Sequence, residues 1–168
     1  MKKWIVGGLI ASLCGLHFSC SPKQEKHAET QKIDQPEIND LPAIILIEEN
    51  GTQFSTRTLD GNVILILFGA SCDHCQREAT QIHENLKEFE SYTLYFISMD
   101  PFPILHQFAK DYGINDQPNI HFVRADGGSV FHALGYMQTP TILIYDHNRK
   151  LLKRFDGETK VQEILKLL

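Results

Sequence analysis

The sequence has few cysteines and little excess charge of either sign. Of its 168 residues four are cysteine, and 16 Lys and Arg stand against 21 Asp and Glu, for a net charge of -5. Lys and Arg are scattered rather than clustered, so the charge pattern does not favour a nucleic acid as partner. Hydrophobic residues make up 42% and charged residues 22%, which argues against wholesale disorder and against a polytopic membrane protein. This length suits one domain with some extra chain.

The first apolar stretch indicates export from the cytoplasm. Lysines at the N-terminus precede a mainly apolar, uncharged run over residues 4–18, which is shorter than the roughly 20 residues of a membrane-spanning helix. We therefore predict a signal peptide over residues 1–19, with an uncleaved anchor as the alternative. Cys20 and the serine before it resemble the processing site of bacterial lipoproteins, although His17 replaces the usual leucine. That resemblance implies lipidation of Cys20 and a membrane-anchored protein in the bacterial cell envelope, with its domain in the periplasm or outside the cytoplasmic membrane.

Residues 20–40 have the composition of a flexible tether. They are mostly polar and include two prolines, and Ile33 and Ile38 are their only large apolar residues. Such a segment buries too little surface to offset the entropy lost on ordering. We predict that the folded domain spans residues 41–168.

Cys72 and Cys75 are the cysteines of this predicted domain, and two residues separate them. A structural disulfide is one interpretation, but so short a loop restrains little of the unfolded chain. Half of a zinc site is another, but no second cysteine pair is present to complete it. Haem attachment would need histidine where Gln76 stands. The interpretation that we favour is thiol-disulfide exchange in a compartment where disulfides persist, with no metal and no cofactor.

The flanking residues predict a strand, a turn and a helix. Residues 62–70 form a continuous apolar run typical of a central strand. Residues 76–89 carry apolar side chains at helical spacing. Cys72 is therefore expected between strand and helix, where free N–H groups and the helix dipole favour a thiolate. From there Cys72 can attack a disulfide, and Cys75, about one turn further on, can resolve the mixed disulfide.

The remaining pattern predicts an α/β sandwich. Strands 43–47 and 53–55 form a hairpin with Asn50 and Gly51 in its turn. The other elements are predicted as strands at 92–99, 119–124, 141–145 and 151–155, the last at a sheet edge, and as helices at 104–112, 129–134 and 159–168.

Two segments carry more specific motifs. LFGASCDHCQRE contains a strand, the Cys-x-x-Cys pair and a helix start, and MQTPTILIYDHNRKLLKRFDG contains a Thr-Pro strand, a turn and a returning strand. In these two motifs the chain resembles the thioredoxin-like superfamily, and within it the TlpA/ResA-like exported thiol-disulfide oxidoreductases. The resemblance covers about residues 44–168. It implies a thioredoxin-like α/β/α sandwich with a central mixed sheet and an N-terminal β-hairpin. It also implies a protein-disulfide oxidoreductase that reduces exported protein substrates and receives electrons from a membrane donor.

The resemblance further implies roles for three residues. Pro140 matches a cis-proline that lies against the active-site disulfide, with a trans proline at a strand start as the alternative. Thr139 matches a residue whose backbone binds the polypeptide substrate. Glu78 matches a glutamate that tunes the thiol chemistry of some members, with a solvated helix-face side chain as the alternative.

The two residues between the cysteines, Asp73 and His74, have opposing effects on the pKa of Cys72. An imidazolium at His74 can stabilise the Cys72 thiolate, and we also place His74 among the residues that contact the substrate. Asp73 destabilises that thiolate, so the sign of the net pKa shift stays open. Ile66 occupies a position where many thioredoxins carry an acid, which leaves Glu78, His74 or water to manage protons.

Two other functions would use a related fold. A peroxiredoxin would carry Pro-x3-Thr-x2-Cys, but Gly69 stands where the threonine belongs. A copper-delivering SCO-like module would use the cysteine pair and a distant histidine such as His132. Those proteins usually separate the cysteines by three residues, whereas two are found in this chain.

Overall fold

A computed structural model of the chain describes residues 39–168. The predicted signal peptide, the lipidation site at Cys20 and nearly all of the predicted tether lie outside the described residues. Within residues 39–168, no helix combines the length and apolar character needed to cross a membrane.

One mixed sheet of seven strands forms the centre of the described domain. The strands are β1 (Ile45–Ile47), β2 (Gln53–Ser55), β3 (Val63–Leu67), β4 (Thr93–Ser98), β5 (Ile120–Ala125), β6 (Thr141–Tyr145) and β7 (Leu151–Asp156). Their order is β2-β1-β5-β4-β3-β6-β7. β3, β4 and β5 pair in parallel, and the remaining pairs are antiparallel. The mixed sheet, the N-terminal hairpin and the edge position of β7 are therefore confirmed.

Helices cover both faces of this sheet. They are α1 (Asp73–His83), α2 (Phe102–Asp111), α3 (Gly127–Leu134) and α4 (Val161–Leu165), with short 3-10 segments at Thr56–Thr58 and Leu86–Phe89. α1, α2 and α4 pack on one face, while α3 and residues 41–59 pack on the other. Every residue of β3 and β6 is buried, because alternate side chains enter the two cores. The predicted thioredoxin-like α/β/α sandwich is confirmed.

The helix that carries the cysteines begins earlier than predicted. α1 starts at Asp73 instead of residue 76 and ends at His83 instead of residue 89. Cys72 is its N-cap residue, so Cys75 lies within the first turn. At the other end, Asn85 donates its side-chain amide to the carbonyl of Gln81 at 2.8 Å, and the chain continues into the 3-10 segment.

The chain enters the described domain beside the turn between β6 and β7. The backbone N–H of Asp40 donates to the carbonyl of Arg149 at 3.0 Å, and its carboxylate accepts from the backbone of Leu151 at 3.1 Å. Leu41 and Ile44 are buried at once in the core of the α3 face. Asp40, predicted to be the last residue of the tether, is thus bonded to the domain.

Candidate active site

The loop between β3 and α1 is fixed by side chains from neighbouring elements. The carboxylate of Asp100 accepts from the backbone N–H of Ala70 at 2.9 Å, and the amide of Gln76 donates to the carbonyl of Ala70 at the same distance. Ser98, at the end of β4, donates its hydroxyl to Asp100 at 3.0 Å. These bonds direct the chain away from the sheet after β3 and place Cys72 at the N-terminus of α1.

Cys72 is half-buried, and its thiol lies within hydrogen-bond reach of several groups. Burial raises the pKa of Cys72, but hydrogen bonds from the thiol and the backbone N–H of Cys75, from the hydroxyl of Thr139 and from the backbone N–H of His74 outweigh it. The net pKa is lower than that of an ordinary cysteine. The sequence left the sign of the pKa shift of Cys72 open. The structure gives a lowered pKa, and uncharged hydrogen-bond donors cause the shift.

Cys75 has the opposite environment. Its side chain is only 2% exposed, and burial raises its pKa to about 12, with the negative charges of Cys72 and Glu78 acting in the same direction. The two thiols are therefore unequal, because Cys72 loses its proton more readily than an ordinary cysteine while Cys75 holds its proton more tightly.

The peptide bond between Thr139 and Pro140 is cis, as the resemblance implies, so the trans alternative was wrong. The thiol of Cys72 donates to the carbonyl of Thr139 at 3.6 Å, and the hydroxyl of Thr139 donates to Sγ of Cys72 at 3.9 Å. Pro140 is buried, and its carbonyl accepts from the backbone of Gly157 at 2.8 Å. The structure thus brings Thr139 and Pro140 to Cys72, and substrate binding at Thr139 stays a prediction.

Glu78 is a buried acid one turn of α1 beyond Cys75. Its side chain is 2% exposed, so the alternative of a solvated glutamate was wrong. Oε1 accepts from the backbone N–H of Thr159 at 3.2 Å, while Oε2 is buried without a partner. Burial raises the pKa of Glu78 to about 8, and the Glu158 carboxylate also raises it, although the bond from Thr159 lowers it. Its role in thiol chemistry stays a prediction.

His74 faces an acid that the sequence analysis did not find. Its Nδ1 lies 2.6 Å from Oε2 of Glu158, and Arg77 donates to the two oxygens of the same carboxylate at 2.8 and 2.6 Å. These partners, Arg77 first and His74 second, lower the pKa of Glu158 to about 2. The imidazole of His74 is thus tied to Glu158, and only its backbone N–H lowers the pKa of Cys72.

The sequence spacing could have indicated two members of the cluster formed by His74, Arg77 and Glu158. Arg77 follows His74 by three residues, so both occupy the same face of a helix. Glu158 lies in the loop after β7, 81 residues beyond Arg77, and only the position of β7 beside β6 brings it to α1. No spacing in the sequence carries that information.

Replacement of Glu158 by Gln is expected to lower the pKa of Cys72 further. The change leaves the positive charge of Arg77 without its counterion near the thiolate, and Arg77 already senses the charge of Cys72. Because these groups are near solvent, the thiolate-to-thiol ratio should rise only roughly two- to fivefold. Thiolate absorbance measured against pH tests the expectation. Glu163→Gln, which breaks the ion pair to Lys166 on α4, is the control, and an equal shift in both variants would contradict it.

The described domain can be compared with known proteins. The model of the AhpC/TSA family matches residues 38–159, and no curated protein matches the chain. A secreted Mycobacterium tuberculosis disulfide oxidoreductase homologous to E. coli DsbE is 14% identical over 74% of this chain and 92% of that chain, with a TM-score of 0.59. StoA from Bacillus subtilis is 16% identical over 76% and 97%, with a TM-score of 0.57. Copper-bound ScoI from Arabidopsis thaliana is 14% identical over 73% and 91%, also with a TM-score of 0.57.

At these identities the solved structures establish the fold, and the family model establishes the relationship. The match begins just before the first described residue and ends beyond the Glu158 that faces α1. It therefore includes both cysteines, the cis-proline and the loop after β7. The chain belongs to the AhpC/TSA family and has the thioredoxin-like fold.

Proposed function

We propose that the protein is a thiol-disulfide oxidoreductase that exchanges disulfides with exported proteins through Cys72 and Cys75. The observation that carries the proposal is the difference between the two thiols. Cys72 lies at a helix N-terminus with a lowered pKa, and Cys75 is buried with a pKa of about 12. An accessible thiolate next to a protonated, shielded thiol is what attack followed by resolution needs.

The reaction proceeds in two displacements. The Cys72 thiolate attacks one sulfur of the substrate disulfide, and the other substrate sulfur leaves as a thiolate. Cys75 then loses its proton, attacks Sγ of Cys72 and releases the second substrate thiol. The substrate gains two electrons and two protons, and the protein keeps a Cys72–Cys75 disulfide. Reduction of insulin by the full chain, lost on mutation of either cysteine, tests this activity.

Glu78 is the group that we assign to the proton of Cys75. It lies one turn further along α1, its charge interacts with Cys75, and its unpartnered Oε2 is free to take a proton. A pKa of about 8 makes both of its protonation states accessible near neutral pH, which suits general acid–base catalysis. Ile66, at the position of the acid in many thioredoxins, is buried and apolar, so it cannot perform this task.

The direction that we propose is reduction of the substrate. Hydrogen bonds from neutral groups stabilise the Cys72 thiolate, while Arg77 and His74 are both engaged by Glu158. These hydrogen bonds stabilise the dithiol form and raise the reduction potential, but neither cation is free to add to them. The dithiol form is therefore less stable than that of a strong oxidant, and the potential is lower.

The reduction potential of the wild-type protein is therefore expected near that of thioredoxin, about -270 mV. Asp73→Ala should raise it, because the change removes a negative charge next to the thiolate. His74→Ala should lower it only slightly, because the imidazole is bonded to Glu158. Equilibration with glutathione buffers measures all three. A wild-type potential near that of strong oxidants, about -120 mV, would reverse the proposed direction and leave the site itself unaffected.

We further propose that the domain is held at a membrane of the cell envelope and receives its electrons from a membrane donor. The apolar run over residues 4–18 and the Ser-Cys pair that follows support a signal peptide over residues 1–19 and lipid on Cys20. Residues 20–40 would then link the lipid to the domain. The secreted location of the M. tuberculosis oxidoreductase is consistent with export.

Cys20→Ala is expected to release the protein from membranes or to block its maturation, because the acceptor of the lipid is lost. Fractionation of cells and the size of the mature chain measure the two outcomes. Cys14→Ala is the control, since Cys14 lies within the predicted signal peptide. Unchanged membrane association and processing of the Cys20 variant would contradict lipidation.

Copper delivery is the second candidate, because a copper-bound ScoI has a similar fold. Within residues 39–168, however, no group of three or more His, Cys, Asp or Glu side chains is placed to hold a metal, so His132 does not join the cysteines. Gly69 argues against a peroxidase function, because it lies near Cys72 and has no hydroxyl group to donate to it. Copper(I) titration together with the insulin assay distinguishes disulfide exchange from copper delivery. Copper binding that needs both cysteines and His132, without reduction of insulin, would favour copper delivery.

A further inference from the structure

A small apolar cavity opens beside the proposed active site. It has a volume of about 90 Å³ and lies where the ends of β3, β4 and β5 meet the start of α3. Its walls include the buried side chains of Leu67, Ile97, Ala125 and Val130. None of its lining residues is charged, so an apolar group is the occupant that its walls favour.

The only side-chain polar groups of this lining belong to Ser98 and Thr139. The Ser98 hydroxyl already has two hydrogen-bond partners, because it donates to the carboxylate of Asp100 at 3.0 Å and accepts from the backbone N–H of Asp100 at 3.1 Å. It therefore needs no polar ligand as a further partner. Thr139 is exposed at the mouth.

The size of the cavity limits what can enter it. Since a water molecule takes roughly 30 Å³ in the liquid, the cavity holds about three to four groups of that size. A leucine or methionine side chain, with four heavy atoms, is therefore about the largest side chain that fits. A nucleotide or a folded partner would not fit.

Methionine side chains form part of the rim. Met99 is 66% exposed, and Met137 is half-buried. A Cβ atom on Gly127 would clash with Sδ of Met99, so glycine at the start of α3 leaves space for the thioether. Unbranched methionine side chains adapt to differently shaped apolar partners, so this rim can close over more than one kind of side chain.

Thr139 connects the cavity to the reacting sulfur. It lines the cavity, and its carbonyl oxygen lies 3.6 Å from Sγ of Cys72. A polypeptide whose disulfide meets Cys72 must therefore pass Thr139. Since an extended chain advances about 3.3 Å per residue, a side chain one or two residues from the substrate cysteine can reach the mouth.

We infer that this cavity is a specificity pocket, which binds an apolar side chain close in sequence to the substrate cysteine that Cys72 attacks. The inference rests on the proposed disulfide exchange and adds a substrate class to it. The preferred substrates are polypeptides in which an aliphatic residue of about the size of leucine or methionine lies one or two positions from a disulfide-bonded cysteine.

The test compares two peptide mixed disulfides that differ only next to the cysteine, one with alanine and one with leucine, as substrates of the full chain. Leucine buries more apolar surface in the pocket than alanine does, so kcat/KM should be about tenfold higher for leucine. Val130→Phe, which fills the cavity, and Met99→Ala, which removes its rim, should each bring the ratio toward one. Met99 is exposed, so its variant tests the pocket even if the filled variant does not fold. Ile104→Ala, an exposed aliphatic position on α2 outside the lining, should keep the wild-type ratio.

Hydroxyethyl disulfide, which has no side chain, separates the pocket from the chemistry. Its rate of reduction by each variant reports the exchange chemistry alone, and the rates with the two peptides are compared with it. Equal kcat/KM for the alanine and leucine peptides, or an equal loss of preference in the Ile104 variant, would overturn the pocket while the exchange stands. If the wild-type protein reduces none of the three disulfides, the proposed function fails and the pocket fails with it.

Discussion

Cys75→Ser is expected to accumulate mixed disulfides between Cys72 and its substrates, whereas Cys72→Ser should reduce exchange to the uncatalysed background. The reason lies in the two environments: Cys72 is accessible with a lowered pKa, and Cys75 is 2% exposed with a pKa of about 12. Without Cys75, the first displacement still occurs but no second sulfur can release the substrate.

The trapped species are measured by non-reducing electrophoresis of acid-quenched cells, followed by mass spectrometry of the linked peptides. The double variant is the control, since it has no thiol at the site and should trap nothing. Trapping seen only with Cys72→Ser would invert the two roles.

Glu78→Gln is expected to slow resolution and to remove a pH-dependent loss of stability. Glutamine keeps an oxygen for the backbone N–H of Thr159 but cannot take the proton of Cys75. General acid–base groups contribute about a hundredfold or more to such steps. Turnover should therefore fall by about that factor, and the inflection near pH 8 in the wild-type profile should disappear. Stopped-flow measurement of each displacement locates the effect, which should spare the attack by Cys72.

The stability effect has a defined sign. The pKa of Glu78 is about 8 in the folded protein against an ordinary value of 4.5, so between these values the folded state holds a proton that the unfolded state lacks. The associated stability is complete below pH 4.5 and is lost as pH rises through about 8. The span corresponds to about 5 kcal/mol.

Denaturant unfolding at pH 5 and pH 9 measures this loss. Glu78→Gln should show a much smaller difference between the two conditions than the wild-type protein. Glu84→Gln, at an exposed position where α1 ends, should behave like the wild type. An unchanged difference in the Glu78 variant would show that this carboxyl does not titrate as its burial requires.

The parts of the fold that the sequence predicts well are those with strong local patterns. All five residues of β6 match the predicted range, because a strand buried on both faces is mainly apolar. The hairpin was found from its Asn-Gly turn. The start of α1 was missed because Asp73 and His74 are polar and exposed, so the apolar spacing begins only after the helix has already begun.

The residues of the candidate site could be predicted from the sequence, but their pKa shifts and ion pairs could not. The cysteine pair and the cis-proline follow from the motifs, whereas the sign of the pKa shift of Cys72 depends on distances that no motif contains. Glu78 lies between exposed Arg77 and buried Ala79, so its burial depends on how α1 packs on the sheet. Glu158 reaches α1 only through tertiary structure, across 81 residues.

The chain enters the described domain at the end of β6 opposite to the active site. Asp40 is bonded beside the turn between β6 and β7, while Pro140 and Cys72 lie at the opposite end of β6, about 16 Å away for a five-residue strand. Under the proposed lipidation of Cys20, the segment that leads to the anchor would join the domain at this far end. The attachment would therefore leave the side of the domain that carries Cys72 accessible to substrates.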